Sequence, residues 1–525
     1  MNTVNRDATI VSSPSRLCAG FLDAVRAAVA VLKPRQGTYS MNVKPLPALS
    51  FPALSLAILL CCQHAGAEPP KGERVMSTRG FSRTSVLGLS EGKEAITSYR
   101  FELPYGLSAG WKLPYLGFSE GCNDTIRLKL VVVAAEQPGL PVDKIRICFS
   151  GKDDTLVPPG TVVESDPVEK ALLPGTVMRV STFYCNQAPA GPLPFMNWGY
   201  IDENIDGCLV GEIGSLKEDD VMEHTTCRGG APPKPMWAGV NALIRAYEPM
   251  FVTGKPHPSS KGETVVIGFI GDSINISQND FGPANPDDPY PARGWNGRFC
   301  GSQIPYVVFG QGGSNAGGFI NAQKTPLFKY IFGTDAGDSK VTHLVDAYGI
   351  NTLRQAVNLK FDTVWEARLQ VAGICKRLGI PYVHTTLTPM TSNWLDLSKE
   401  LGTPEEQFSM FVSARKKFNE KVRTQGKDIP GCIGFIDWGS AVEKNPAANE
   451  NIWQSGFGTD GIHPDSAGHQ RMADAVGSPF TAEKSPACTR QIEDRRLLED
   501  GAVIGRQSVA EVPLTVLPFV RLQYR

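Results

Sequence analysis

A serine that follows an apolar run is the first candidate for chemistry in this chain. Residues Val265 to Ile270 read as a buried strand, and Gly271-Asp272-Ser273 follow at the expected strand-to-helix turn. A serine held at such a turn can act as a nucleophile. Taken alone, the tripeptide is more typical of an ordinary turn, because Gly, Asp and Ser are the commonest turn residues.

Two later segments carry groups that could stabilise a developing negative charge. The stretch Gly310 to Gly318 follows an apolar strand, and glycines let a backbone N–H approach a ligand closely. A phosphate or dinucleotide loop is the rival interpretation, but the G-x-G-x-x-G spacing fails and no Gly-Lys-Ser/Thr follows. In Tyr348-Gly349-Ile350-Asn351 an apolar strand ends on an asparagine whose amide can donate to an oxyanion while uncharged. An ordinary turn asparagine is the alternative there.

The segment from Thr459 to His469 supplies an acid and a base. Asp460 and His463 stand three apart on one predicted loop, so the carboxylate can orient the imidazole and leave its other nitrogen for a serine. Helix capping explains Asp465 and Ser466 equally well, but it does not explain Asp460 with His463. A metal site of Asp460, His463 and His469 is the alternative, although no further acids or histidines occur at helical spacing.

The size and charge of the chain favour a globular protein that acts on small neutral molecules. It has 525 residues with a hydrophobic content of 42%, which is enough for two or three domains. With 52 Lys+Arg against 53 Asp+Glu, the net charge of −1 gives no global attraction to nucleic acid or to an anionic membrane. We therefore expect neither as a partner. The sequence does not indicate the oligomeric state.

The N-terminal residues 1–67 predict export. From Met41 a basic start at Lys44 is followed by the apolar stretch Leu46 to Cys62 and then by Ala65-Gly66-Ala67, which is the order of a secretory signal cleaved after Ala67. Prolines interrupt the apolar stretch, so a membrane span is not expected. Residues 1–40 are then untranslated, an extension or a different targeting peptide, and a lipoprotein cysteine at Cys61 is a weaker alternative. The predicted location is secreted or periplasmic.

Cysteine usage agrees with export. Beyond residue 67 no C-x-x-C pair with zinc-like spacing occurs, so disulfides are favoured over metal binding. The number is odd, so at least one thiol stays free or pairs between chains. The nine cysteines are Cys122, Cys148, Cys185, Cys208, Cys227, Cys300, Cys375, Cys432 and Cys488.

The pattern of apolar residues divides the rest of the chain in three. Residues 68–255 alternate in the manner of β-strands, with strands expected at 126–132, 144–149 and 177–184. Residues 262–480 alternate short apolar strands with helices, which predicts an α/β domain whose parallel sheet is covered on both faces. Residues 481–525 form a tail without evident chemistry. Within 262–480, strands are expected at 264–271, 304–309, 341–348, 380–387 and 432–437, and helices at about 353–378, 404–425 and 466–477.

The order of the four polar segments carries a family resemblance. Gly-Asp-Ser, Gly, Gly-x-Asn and Asp-x-x-His, in this order over about residues 264–478, resemble the four blocks of the SGNH hydrolases, also called the GDSL esterase/lipase family. The resemblance implies a flavodoxin-like, three-layer α/β/α fold with no cofactor or metal. It implies Ser273 as nucleophile, His463 as general base and then acid, and Asp460 as the residue that holds His463. The implied oxyanion hole is the backbone N–H of Ser273, the backbone N–H of Gly313 and the side chain of Asn351.

Departures from the family pattern bear on the substrate rather than on the mechanism. Ile274-Asn275-Ile276 follows the serine where the family often has Ile/Leu-Thr-Asp/Glu, and Thr352 stands where it often has Asp. Neither change touches a group that transfers a proton.

A second resemblance concerns the preceding region. Turn residues from Val157 to Val168 and the strand Val177 to Tyr184 are similar to the β-sandwich that precedes the catalytic domain in a subset of bacterial GDSL esterases, as is the segment Trp295 to Phe299. The sequence thus predicts a secreted serine esterase that works through an acyl-enzyme, with carbohydrate O-acetyl esters as the favoured substrates. The alternatives are a lipase or arylesterase acting on small or lipid esters, and a catalytically silent glycan-binding protein.

Overall fold

The computed structural model describes residues 72–78, 80–83, 86–118, 124–188, 191–197, 207–224, 244–245, 247–260, 263–278, 280, 294–354, 361–395, 402–446, 451–458 and 460–476. The predicted signal segment 41–67 and the tail 481–525 lie outside the described residues. Among the helices described, none combines the length and apolar character needed to cross a bilayer.

The bounds of the elements follow. The strands are β1 (Arg74–Val75), β2 (Gly80–Arg83), β3 (Val86–Glu91), β4 (Lys93–Leu103), β5 (Pro114–Leu116), β6 (Ile126–Glu136), β7 (Asp143–Ile147), β8 (Thr155–Val157), β9 (Val162–Glu164), β10 (Thr176–Asn186), β11 (Pro192–Asn197), β12 (Gly207–Glu212), β13 (Ile244–Arg245), β14 (Thr253–Gly254), β15 (Ile267–Gly271), β16 (Tyr306–Gly310), β17 (His343–Asp346), β18 (Tyr382–Thr385) and β19 (Cys432–Ile436). The helices are α1 (Glu218–His224), α2 (Gly294–Cys300), α3 (Ala316–Ala322), α4 (Pro326–Phe332), α5 (Ile350–Arg354), α6 (Phe361–Leu378), α7 (Pro404–Gln425), α8 (Trp438–Val442) and α9 (Ser466–Asp474).

A parallel sheet forms the centre of the second half of the chain. In the described residues it has six strands in the order β19-β18-β17-β15-β16-β2, and every neighbouring pair is parallel. The central strands are buried throughout because helices cover both of their faces, which is why their sequences are continuous apolar runs. The five strands predicted between residues 264 and 437 are confirmed, with bounds a few residues shorter than expected.

Helices pack on both faces of this sheet. On one face α3, α4 and α6 bury Phe319, Phe332 and Val371 against it. On the other face α2, α8 and α9 bury Trp295, Trp438 and Met472. The α/β fold predicted from the strand–helix alternation is therefore confirmed, with a helix layer on each side of the sheet.

Two of the predicted helices show how local sequence sets element bounds. Helix α7 begins and ends where expected, because Thr403 and Glu406 form a reciprocal capping box and Pro404 occupies the first helical position. Of the helix expected over 353–378, residues 361–378 form α6, and residues 353 and 354 end α5, which begins at Ile350 after β17. Residues 355–360 lie outside the described residues.

The first half of the described chain is rich in antiparallel strands. Its largest sheet has the order β12-β4-β10-β6-β7, with β8 also paired to β6. One face carries a large apolar core that includes Tyr99, Val131 and Tyr184, and the other carries a small cluster closed by Val221 of α1. The β-rich character is confirmed. The smaller sheets β13-β11-β3 and β5-β9 are separate, and the sandwich arrangement stays a prediction.

Segments from the first half also join the parallel sheet. Strand β2 pairs in parallel with β16 and forms one edge of the sheet, whereas β1 pairs with β14 in a separate two-stranded sheet before residue 255. Tyr330 of α4 donates a hydrogen bond of 2.6 Å from its hydroxyl to Oε1 of Glu164 in β9. The predicted boundary near residue 255 is thus crossed by backbone pairing and by a side-chain contact.

The described cysteines do not support the expected disulfides. None of the five cysteines whose side chains are described forms a disulfide, and these are Cys148, Cys185, Cys300, Cys375 and Cys432. Three of them lie buried in different packing environments, where a thiol behaves as a small apolar group. The side chains of Cys122, Cys208, Cys227 and Cys488 lie outside the described part of the chain.

Candidate catalytic site

Ser273 lies in the turn that follows the central strand β15. The strand ends at Gly271, and the carbonyl of Asp272 accepts hydrogen bonds from the backbone N–H groups of Asn275 and Ile276 at 3.1 and 3.2 Å. This tight turn needs Gly271, because a Cβ there would lie 2.6 Å from Cβ of Asn275. The serine is therefore held at the carboxyl edge of the sheet, where parallel α/β folds bind ligands.

Ser273, His463 and Asp460 form one hydrogen-bonded chain. The Ser273 hydroxyl lies 2.8 Å from Nε2 of His463, and Nδ1 of His463 lies 2.6 Å from Oδ2 of Asp460. Asp460 also accepts the backbone N–H of Ile462 and that of His463 through Oδ1, at 3.1 and 2.8 Å. An ionised Asp460 only accepts, so Nδ1 carries the proton and Nε2 is left to accept from the serine.

The electrostatics of this pair suit a neutral imidazole. Burial lowers the pKa of His463 below its usual value, against the opposing effect of Asp460, and the positive charge of Arg354 lowers it further. Burial acts to raise the pKa of Asp460, but the hydrogen bonds from His463 outweigh it and hold that pKa below its usual value. At neutral pH the site therefore contains an ionised carboxylate and an imidazole that can accept a proton.

The loop that carries Asp460 and His463 is fixed by a neighbouring loop. The indole N–H of Trp394 donates to the carbonyl of Asp460 at 2.8 Å, and the backbone N–H of Thr391 donates to the carbonyl of Gly461 at 2.9 Å. Gly461 has a φ of +90°, and a Cβ there would lie 2.2 Å from Oγ1 of Thr391. The indole ring of Trp394 stands edge-on to the imidazole, with ring centroids 5.4 Å apart.

Asn351 lies beside the nucleophile turn. It belongs to α5, a helix that begins directly after Gly349. The φ of +144° at Gly349 lets the chain turn sharply after β17. Its side-chain Nδ2 donates to Oδ2 of Asp272 and to the carbonyl of Ser314, both at 3.1 Å. Both amide hydrogens thus have protein acceptors, and donation to a substrate oxygen would replace one of these bonds.

Asp272 is a buried carboxyl that the sequence identified only as part of a motif. Its Oδ1 accepts the backbone N–H of Ile274 at 3.1 Å, while Oδ2 accepts the Asn351 amide. Burial raises the pKa of Asp272 to about 7, although the Ile274 hydrogen bond and the charge of Arg354 act to lower it. A titratable group with a displaced pKa therefore touches the amide beside the nucleophile.

Gly313 lies in the loop between β16 and α3. Its φ is +73°, and a Cβ built on it would meet no atom within 4 Å, so its open side is accessible to a ligand. The next residue, Ser314, donates through its hydroxyl to the carbonyl of Gln311 at 2.7 Å and accepts the Asn351 amide through its own carbonyl. The structure thus brings this loop against Asn351, and the part played by the Gly313 N–H stays a prediction.

His469 does not join the Asp460 and His463 pair. Its Nδ1 accepts the backbone N–H of Trp295 at 3.2 Å, and its Nε2 lies 3.3 Å from the carbonyl of Gln278. Both ring nitrogens are engaged, one with α2 and the other with the segment that follows Ser273, which contradicts the alternative of a metal site with His469 as a ligand. In the described part of the chain no cluster of three His, Cys, Asp or Glu side chains is arranged to hold a metal.

Two side chains near the site were not singled out from the sequence, Arg354 and Trp394. Arg354 stands three residues after Asn351, a spacing that puts both on one face of a helix, so this signal was available. Trp394 carried no sequence signal, because its place beside His463 depends on the packing of two loops distant in sequence.

Comparisons with known proteins give matches only among solved structures, since neither the known protein families nor the curated proteins match this chain. A GDSL-like lipase from Bacteroides thetaiotaomicron shares 14% identity over 44% of this chain and 88% of its own, with a TM-score of 0.28. A carbohydrate esterase family 2 enzyme with a carbohydrate binding domain, from Myceliophthora fergusii, shares 12% identity over 78% of this chain and 99% of its own, with a TM-score of 0.30.

A third match is an active-site mutant of a family two carbohydrate esterase from Clostridium thermocellum. It shares 10% identity over 79% of this chain and 99% of its own, with a TM-score of 0.31. The solved structures that match thus include GDSL-like lipases, acylhydrolases and carbohydrate esterases, the class of protein that the sequence motifs resemble.

Proposed function

We propose that this protein is a serine ester hydrolase of the SGNH type, which cleaves carboxylic esters through an acyl-enzyme. One observation carries the proposal. Ser273 Oγ lies 2.8 Å from Nε2 of His463, and Nδ1 of the same imidazole lies 2.6 Å from Asp460. A hydroxyl, a neutral imidazole and an orienting carboxylate in hydrogen-bonding sequence are the parts of an activated serine nucleophile.

The first half of the reaction forms an ester on the enzyme. Ser273 Oγ attacks the carbonyl carbon of the substrate as Nε2 of His463 takes the hydroxyl proton, and Asp460 stabilises the resulting imidazolium. The tetrahedral intermediate collapses when the carbon–oxygen bond to the alcohol breaks. The alcohol oxygen takes the proton from Nε2, and the acyl group stays on Ser273.

The second half restores the free serine. A water molecule gives a proton to Nε2 of His463 while its oxygen attacks the acyl carbon, and the second tetrahedral intermediate releases the carboxylic acid as Ser273 regains the proton. In both halves the oxyanion is proposed to accept from the backbone N–H of Ser273, the backbone N–H of Gly313 and the amide of Asn351. Loss of one such donor typically raises the barrier by about 3–4 kcal/mol.

The proposed substrates are acetylated carbohydrates outside the cytoplasm. The predicted export signal favours an extracellular polymer or oligosaccharide, and the net charge of −1 gives no global attraction to a polyanion such as nucleic acid. The indole of Trp394, 5.4 Å from the imidazole of His463, offers an apolar surface to the C–H face of a sugar ring. The β-rich residues 68–255, proposed as a sandwich, would then be an accessory module beside the site.

Hydrolysis by the purified full-length chain tests this proposal. We expect acetate release from acetylated oligosaccharides, slower cleavage of long-chain esters, and loss of at least three orders of magnitude in kcat for Ser273→Ala. Ser302→Ala, at a partly exposed serine after α2, is the matched control and should retain the wild-type rate. Full activity of Ser273→Ala would contradict the mechanism, while a preference for long-chain esters would favour a lipase.

A further inference from the structure

Arg354 and Trp394 lie together beside the general base. Nη1 of Arg354 donates to the carbonyl of Trp394 at 3.1 Å, and its guanidinium carbon lies 5.8 Å from the centroid of the indole ring. The same indole ring stands edge-on to His463. Arg354 also follows Asn351 by three residues in α5, so it borders both the imidazole and the proposed oxyanion hole.

Among the described residues Arg354 forms no ion pair with a carboxylate, and its charge reaches Asp272 without a hydrogen bond between them. Its Nε is buried without a hydrogen-bond partner, and its one hydrogen bond to the described chain goes to a neutral carbonyl. Two fully buried arginines elsewhere in the chain differ in this respect, because Arg298 pairs with Asp280 at 2.8 Å and Arg415 with Glu443 at 3.1 Å. A guanidinium is always charged and a buried donor without a partner is costly, so an anion from outside would complete this site.

The charge of Arg354 also opposes the reaction when the site is empty. His463 becomes an imidazolium as the serine attacks, and the guanidinium lowers the pKa of that imidazole. An anion bound to Arg354 would remove this repulsion at the moment when His463 gains its proton. Substrate binding and proton transfer would thus be favoured by the same contact.

We propose that Arg354 and Trp394 form a subsite for an ester whose alcohol part carries a carboxylate, such as an acetylated sugar acid. This inference rests on the proposed ester hydrolase function. The planar guanidinium can hold a carboxylate with two parallel hydrogen bonds, and the indole covers the sugar ring. The alcohol side is assigned because His463, against which Trp394 packs, delivers the proton to the departing alcohol.

A comparison of matched esters tests the subsite. The probes are an O-acetyl hexuronic acid, the O-acetyl hexose of the same configuration, and a hexose hemisuccinate, which carries its carboxylate on the acyl side. We expect the wild-type kcat/KM for the uronic acid ester to exceed that for the neutral ester by about tenfold or more. Arg354→Gln should bring this ratio close to one, and Arg354→Lys should retain part of it because the charge remains.

The control and the outcomes separate this inference from the proposed function. Arg377 is an exposed arginine at the end of α6 that donates to the carbonyl of Thr334 and to Gln323, and Arg377→Gln should leave the wild-type ratio unchanged. Suppose that Ser273→Ala abolishes cleavage of all three esters, but that Arg354→Gln leaves the ratio of kcat/KM for the uronic acid ester to that for the neutral ester unchanged. The subsite would then be wrong, and the hydrolase function would stand. A preference for the hemisuccinate would overturn the alcohol-side assignment. Cleavage of the esters by Ser273→Ala at the wild-type rate would overturn the proposed hydrolase function itself.

Discussion

Asn351 shows at the residue scale how the resting site differs from the reacting one. Its amide donates to Asp272 and to the carbonyl of Ser314, so an oxyanion must compete with one of these acceptors. The bond to Asp272 depends on the charge of a carboxyl whose pKa is about 7. The group that positions the proposed oxyanion donor therefore titrates close to neutral pH.

The buried carboxyl of Asp272 predicts a pH-dependent stability. Burial raises its pKa from 3.8 to about 7, so the folded chain holds a proton there that the unfolded chain has released. The stability it contributes is present below about pH 4 and is lost as pH rises to about 7, by up to about 1.4 kcal/mol per pH unit. Asp272→Asn has no such proton to lose, so it should gain stability relative to the wild type as pH rises.

Denaturant unfolding of both proteins at pH 5 and pH 7.5 measures this difference. We expect the free energy of unfolding of Asp272→Asn minus that of the wild type to be more positive at pH 7.5 than at pH 5. Any effect of the substitution that does not depend on pH cancels in this comparison. A difference that is the same at both pH values would mean that Asp272 is ionised in the fold throughout this range.

The sequence predicted the residues of the hydrogen-bonded chain but not their surroundings. Ser273, Asp460 and His463 follow from motifs whose order and local spacing are visible in one dimension. The burial of Asp272 and the unpartnered Nε of Arg354 in the described structure depend on which distant segments pack over them. Such packing is set by the tertiary fold, and no local pattern encodes it.

At the element scale, the loop that carries Asp460 and His463 depends on a close approach at Gly461. A Cβ at this position would lie 2.2 Å from Oγ1 of Thr391, and its φ is +90°. We expect Gly461→Ala to displace the loop and to lower kcat by tenfold or more, since small misplacements of catalytic groups are costly. Initial rates with an acetyl ester, together with the melting temperature, measure the effect.

Gly456 provides the matched control for this substitution. It also has a positive φ, +83°, but a Cβ there would meet nothing within 4 Å. An alanine at position 456 has the backbone strain of about 1–2 kcal/mol, but its Cβ does not clash with a neighbouring residue. Gly456→Ala should therefore lower the free energy of unfolding and leave kcat unchanged. Equal losses of kcat in the two variants would show that the contact with Thr391 does not position the loop.

Helix bounds were predictable where a local signal sets them. Thr403, Pro404 and Glu406 start α7 by capping, so its first residue was evident from the sequence. The start of α5 at Ile350, three residues before the expected helix, was not predicted, because it depends on a sharp turn at the end of β17. Gly349, with its φ of +144°, makes that turn, and the pattern of apolar residues continues across it.

At the scale of the whole molecule, the first half of the chain completes the sheet that carries the site. Strand β2 covers the edge of β16, and Gly80 lies so close that a Cβ there would be 2.6 Å from the carbonyl of Tyr306. We expect a fragment of residues 262–480 to be less soluble and less stable than one of residues 68–480. An exposed apolar strand edge favours aggregation, and size-exclusion chromatography with thermal unfolding measures both properties.

The contribution of β2 was not predicted because pairing of parallel strands far apart in sequence leaves no local signal. Gly80 and Val307 are paired in the sheet but stand more than two hundred residues apart. A monomeric, fully stable 262–480 fragment would show that the catalytic half folds alone, as the sequence division near residue 255 suggested. Gly80→Val in the longer chain, compared with Gly72→Val at an open position, would locate any loss at this edge.

Covalent labelling of the full-length chain with a small neutral organophosphonate tests whether Ser273 is the nucleophile. We expect one phosphonyl adduct, mapped by mass spectrometry to Ser273, formed in step with the loss of esterase activity. The adduct should be absent from Ser273→Ala and should form far more slowly in His463→Ala, because the serine then lacks its base. Ester hydrolysis that persists after complete labelling, or an adduct on a different residue, would contradict the assignment of Ser273 as the nucleophile.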